Sequence, residues 1–105
     1  MMELVRPFGP VQGTNTSNAA VTGSSVATAV PVAGIGFRSI RIANIGTQNI
    51  FVKLGTSTVT TATTTGMPVL ANTVELFLLR PDETHIAAIA ATTGSTMYLT
   101  VGDGI

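Results

Sequence analysis

The side chains able to do chemistry are few, and their spacing does not assemble them. The single histidine, His85, stands beside Asp82 and Glu83 in the stretch RPDETH, residues 80–85. Oxygen ligands next to one imidazole suggest a divalent cation, but the stretch lacks the ligand number and spacing of a structural or catalytic centre. These residues therefore read as a solvated turn leading into a strand, with no metal. Nucleophilic catalysis needs a base beside the nucleophile and a third group to orient that base. The carboxylates are Glu3, Glu75, Asp82, Glu83 and Asp103, of which only Asp82 and Glu83 are neighbours, so neither a triad nor a glycosidase-type pair is expected. GIG at 34–36 and GDG at 102–104 carry neither the Lys and Thr of a phosphate cradle nor a following helix, and read as turns. The expectation is a chain that is not an enzyme and uses no cofactor.

The composition narrows the partners. Of 105 residues, 45% are apolar and only 10% charged, against roughly 25% charged in an ordinary soluble domain. So little charge implies a surface that meets protein rather than water. Five basic and five acidic residues cancel, leaving no field to draw in nucleic acid or an anionic membrane, so neither is expected as a partner. No cysteine is present, which excludes disulfides, thiol nucleophiles and thiolate metal sites. The first ten residues hold Glu3, Arg6, Pro7 and Pro10 and no apolar stretch long enough for a signal-peptide core, so export is not expected. The apolar run Ile86 to Ala91 is far shorter than the ~20 residues of a spanning helix.

The elements that must position these residues look like strands. Residues 1–36 are rich in Pro, Gly, Ser, Thr and Asn and are expected to be an extended N-terminal arm, too poor in large side chains to order itself. Residues 37–105 form the domain. In FRSIRIAN, Arg38, Ile40 and Ile42 alternate against Phe37, Ser39 and Arg41; in NIFVKLG, Ile50, Val52 and Leu54 alternate against Phe51 and Lys53. The two runs, with a Gly/Asn-rich loop between them, predict an antiparallel hairpin over 37–54. The threonine-rich stretch from Thr56 to Thr65 resists helix and predicts an extended edge or crossover. TVELFLL sets Val74, Leu76 and Leu78 against Glu75, Phe77 and Leu79, and RPDE reads as a turn. THIAAIAA reads as a strand, with a short helix as the alternative because alanine favours helix. MYLTVGDG sets Met97, Leu99 and Val101 inward and Tyr98 and Thr100 outward. Short strands at such spacing predict an all-β fold: one antiparallel β-sandwich, jelly-roll-like or Greek key.

Over about residues 37–104 the chain resembles a class of small tailed-bacteriophage virion proteins. The likeness is carried by Asn44 and Gly46, Gly55 to Ser57, Gly66 to Pro68, Val74, Glu75 and Phe77, Thr84 to Ala87, and Gly102 to Gly104. It implies a capsid decoration or cement protein of the virion surface, made in the bacterial cytoplasm, whose partner is the major capsid protein. A tail or head-fibre module that meets the host surface is the alternative reading.

Two sets of residues are expected at protein interfaces. Val11, Val21, Val26 and Val30 would let the arm lie on neighbouring subunits, so that removing residues 7–33 would weaken capsid binding without unfolding the domain. Phe77 and Leu79 share a face opposite Leu76 and Leu78, and one sandwich cannot cover both, which predicts self-association as a dimer or trimer.

Overall fold

The computed structural model describes residues 8–10, 16–31, 39–92 and 94–103. Among these the chain forms strands and no helix: β1 (Gly9–Pro10), β2 (Thr16–Val21), β3 (Val26–Ala29), β4 (Ser39–Gly46), β5 (Ile50–Gly55), β6 (Met67–Val69), β7 (Val74–Leu78), β8 (His85–Ala90) and β9 (Ser95–Asp103). They build two packed antiparallel sheets. In the first, β9 lies between β4 and an edge shared by β1 and β2, and β7 lies beyond β4. The order in the second is β3, β8, β5, β6. Pairing is nested: β2 with β9, β3 with β8, β4 with β7 and β5 with β6. Two further ladders, β4 with β9 and β5 with β8, join these pairs into the sheets.

The alternation in the sequence becomes the core. Ile40 and Ile42 of β4 and Met97, Leu99 and Val101 of β9 face Ile50 and Val52 of β5, Val69 of β6, and Ile86, Ala88 and Ala90 of β8, all buried in one cluster. Burying each large aliphatic side chain stabilises the fold by about 1.5–3 kcal/mol. The alanine-rich segment is a strand, not a helix, because β8 is bonded on both sides, by β3 and by β5, and two ladders outweigh a weak local propensity.

The segment expected as an arm supplies an edge to each sheet. Strand β2 pairs with β9 from Thr16↔Thr100 to Val21↔Ser95, and β3 pairs with β8 from Val26↔Ala88 to Ala29↔His85. Val21 and Val30 sit in the core cluster. The ordering cost of these small residues is offset by backbone ladders to strands more than fifty positions away, which the local sequence does not display.

The hairpin expected over 37–54 does not form. Strand β4 bonds to β7 and β9 in one sheet and β5 to β6 and β8 in the other, so the chain changes sheet across residues 47–49. Side chains hold that corner. Asn44, fully buried, donates from Nδ2 to the carbonyls of Gln48 at 2.7 Å and Val69 at 3.0 Å. Ser95 Oγ donates to the Gln48 carbonyl at 2.9 Å and accepts from the Gln48 amide at 3.3 Å. Gly46 is required here because a Cβ would lie 2.8 Å from Ser95 Cα and 2.9 Å from the Gly94 carbonyl oxygen.

The threonine-rich stretch is the connection between β5 and β6, folded back as a flap over the outer face of the second sheet. The Thr61 amide donates to Ser25 Oγ at 3.0 Å, and Ser25 immediately precedes β3. On the other side, a Cβ on Gly66 would lie 2.6 Å from Thr61 Oγ1 and 2.9 Å from Cβ of Phe51, an outward residue of β5. Strands β3 and β5 are two spacings apart, roughly 10 Å, so Thr61 bridges them over Ile89, the β8 residue opposite Phe51. Within the flap the Gly66 amide donates to the Ala62 carbonyl at 3.0 Å and the Val59 amide to the Thr56 carbonyl at 3.0 Å. Six of its threonines, Thr56, Thr58, Thr60, Thr63, Thr64 and Thr65, stay exposed; the Thr56 and Thr58 hydroxyls lie 3.3 Å apart and that of Thr65 accepts from the Ala62 amide at 3.3 Å.

Candidate interaction surface

The residues with chemical potential are used locally. In the turn between β7 and β8, Glu83 Oε1 accepts from the Arg80 amide at 2.8 Å and Oε2 faces Arg80 Nη1 at 3.4 Å. His85 Nδ1 lies 2.9 Å from Thr84 Oγ1. Among the described residues no three metal-ligating side chains come together.

What the fold does create is an apolar side. The two sheets end there in β7 and β6, each of which has, among the described residues, a bonded neighbour on one flank only. Strand β7 is Val-Glu-Leu-Phe-Leu, with neither proline nor lysine, whereas β6 carries Pro68, which removes a donor from its edge. Natural edges are blunted by charge, proline or bulges; β7 carries only Glu75. Its free hydrogen-bonding groups can be assigned. The Asn44 amide donates to the Thr73 carbonyl at 2.9 Å, which makes 44 and 73 a hydrogen-bonded pair. Such pairs alternate along an antiparallel ladder, so Glu75 and Phe77 bond to β4, and the backbone groups of Val74, Leu76 and Leu78 point away from the sheet.

Side chains reinforce this. Val74 is 44% exposed and Leu78 56% exposed on the outward face of β7, with Leu70 and Met67 exposed on the same side of the molecule. Phe77, on the inner face, packs against the core and lines a cleft of about 400 Å³ between the sheets, together with Val52, Leu54, Thr65, Met67, Pro68 and Lys53. The outer face of the first sheet continues the uncharged surface: in register across it run Asn18, Tyr98, Ala43 and Val74, and beside them Thr16, Thr100, Arg41 and Leu76. Arg41 is the one charge among these eight, and its guanidinium lies 5.8 Å from the Phe8 ring centroid, within cation–π range.

The sequence-named interface residues fall in different places. Val26 is 44% exposed on β3. Val21, Val30 and Leu79 are core side chains, withdrawn from the surface of this chain. Phe77 is half-buried in the cleft wall, and Val11 lies outside the described residues. The exposed pair on β7 is Val74 and Leu78, which sequence reasoning did not single out. Alternation gives two faces but not which is inward, and Glu75 shares its face with Phe77, disguising that face as the wet one.

No protein-family model, curated protein or solved structure matches the chain.

Proposed function

We propose that this chain is a structural virion protein that decorates and stabilises a bacteriophage capsid by binding across major capsid protein subunits, catalysing nothing. The observation that carries the reading is the open side of the sandwich, where an unblunted β7 edge, exposed Val74 and Leu78 and an apolar cleft adjoin an outer sheet face whose one charge among the described residues is Arg41. A free monomer would keep so much uncharged surface in water only at a cost; a subunit docked on other chains buries it. The nested pairing of β2 to β5 with β9 to β6 supports reading the sandwich as a jelly roll, an architecture of capsid domains. The likeness of residues 37–104 to phage virion proteins points the same way. Stabilisation follows from mass action: surface buried only on the assembled shell favours that state over its alternatives.

Quantifying the protein in purified particles tests this. A copy number on the scale of the major capsid protein, and particles that lose heat resistance when the chain is withheld, are expected. Absence from particles, or the few copies typical of a tail component, would refute it.

A further inference from the structure

We infer that the β7 edge is a homodimer interface, in which two copies pair β7 with β7 antiparallel about a two-fold axis through Leu76. This deepens the reading of the open side as a subunit contact and rests on it.

The backbone restricts the registers. Only Val74, Leu76 and Leu78 offer free amides and carbonyls outward, so a second β7 must bring the same three residues opposite them. With Leu76 on the axis, Val74 faces the partner's Leu78, Leu76 faces the partner's Leu76, and the whole strand is paired. Moving the axis toward the strand's start sets Glu75 against the partner's Glu75, a like-charge pair that destabilises a ladder. Moving it toward the end sets Val74 against Arg80 and leaves an apolar residue unmatched.

Charge favours the Leu76 register as well. There the partner's Glu75 stands opposite the uncharged Phe77 rather than opposite another carboxylate. The exposed Val74 and Leu78 of each copy then form one apolar row across the joint, and the first sheets of the two copies become continuous.

The absence of cysteine gives a clean test. Hydrogen-bonded antiparallel partners have Cα atoms about 5.5 Å apart, inside the 4.4–6.8 Å range that a disulfide spans. Under mild oxidation of the full chain, Leu76→Cys is expected to cross-link to a dimer. Val74→Cys and Leu78→Cys, each roughly 14 Å from its own copy, are expected to stay single when alone and to cross-link when mixed. Leu76→Lys, on the outer face, is expected to leave the far-UV circular dichroism unchanged and to weaken dimerisation in sedimentation by at least ~30-fold. A Leu76→Cys chain that cross-links no faster than Val74→Cys or Leu78→Cys alone overturns the inference, and so does a native chain sedimenting as a monomer or a trimer. Particle binding separates the two readings. Virions that incorporate a monomeric chain would sink the dimer and keep the decoration role, whereas a cross-linking chain missing from virions would do the reverse.

Discussion

Asn44 and Val69 belong to different sheets, and the Asn44 carboxamide donates to the Val69 carbonyl across the interior at 3.0 Å. Its second N–H reaches the Gln48 carbonyl at 2.7 Å, so one side chain ties the corner after β4 to the end of β6.

Replacing Asn44 by leucine keeps the branching of the side chain but adds bulk and strands both carbonyls in the interior, and should lower stability by about 2–4 kcal/mol, measured by urea unfolding. The Asn44→Asp variant should be worse at neutral pH, where a carboxylate faces two carbonyl oxygens. A carboxyl held in that place has its folded pKa raised above the unfolded value, because only the protonated form can donate. Its deficit should therefore shrink on acidification through the folded pKa and return as the pH rises.

Among the described residues one hydrogen bond ties the flap to the strand β3 side of the second sheet. Ser25→Ala removes the acceptor of the Thr61 amide, and should cost about 1 kcal/mol while sharply accelerating hydrogen exchange at Thr61. Exchange in β9 should hardly change. A Thr61 amide equally protected in both proteins would show that the loop is held by something else.

Removing residues 7–33 deletes β2, β3 and the buried Val21 and Val30. Each valine contributes about 1.5–3 kcal/mol and each sheet loses an edge, against a total stability of about 5–15 kcal/mol for a domain of this kind. The truncated chain should show no cooperative thermal transition, in contrast to the expectation drawn from composition. A sharp transition near that of the whole chain would contradict the placement of these strands.

Binding to particles through this surface should depend little on salt. Among the described residues the outer face of the first sheet carries only Arg41, and contacts of apolar side chains are not screened by ions. Raising the salt should change retention on shells by less than about threefold; release in high salt would locate the contact elsewhere.

The strands legible in the sequence were those with large aliphatic residues on one face. In β9, Met97, Leu99 and Val101 alternate with Tyr98 and Thr100, and β5 alternates in the same way around Ile50 and Val52. Strand β2, Thr-Ser-Asn-Ala-Ala-Val, has no such face, because its order comes from β9, whose sequence lies at the other end of the chain. The 37–54 hairpin was misread for a related reason. Periodicity shows that β4 and β5 each have an inner face, but the same pattern fits two inner faces side by side in one sheet and two opposed across a core. The one local clue was Asn44, a polar residue on an otherwise apolar face, which marks the corner. The candidate interaction surface was legible as a surplus of apolar residues on β7, and its direction was not, since Glu75 sits beyond the core on the inner face.

The position of β9 has a kinetic consequence. This strand occupies the middle of the first sheet, and its partners β1, β2 and β4 are all synthesised well before it. A growing polypeptide can therefore hold half of its sandwich only as loose segments on the ribosome, and the last strand closes the structure around partners that have been waiting. Assembly dominated by such distant pairings is slow and leaves sticky intermediates. The yield of folded protein in the cell should accordingly respond to translation speed and to chaperone supply more than to the stability of the finished product.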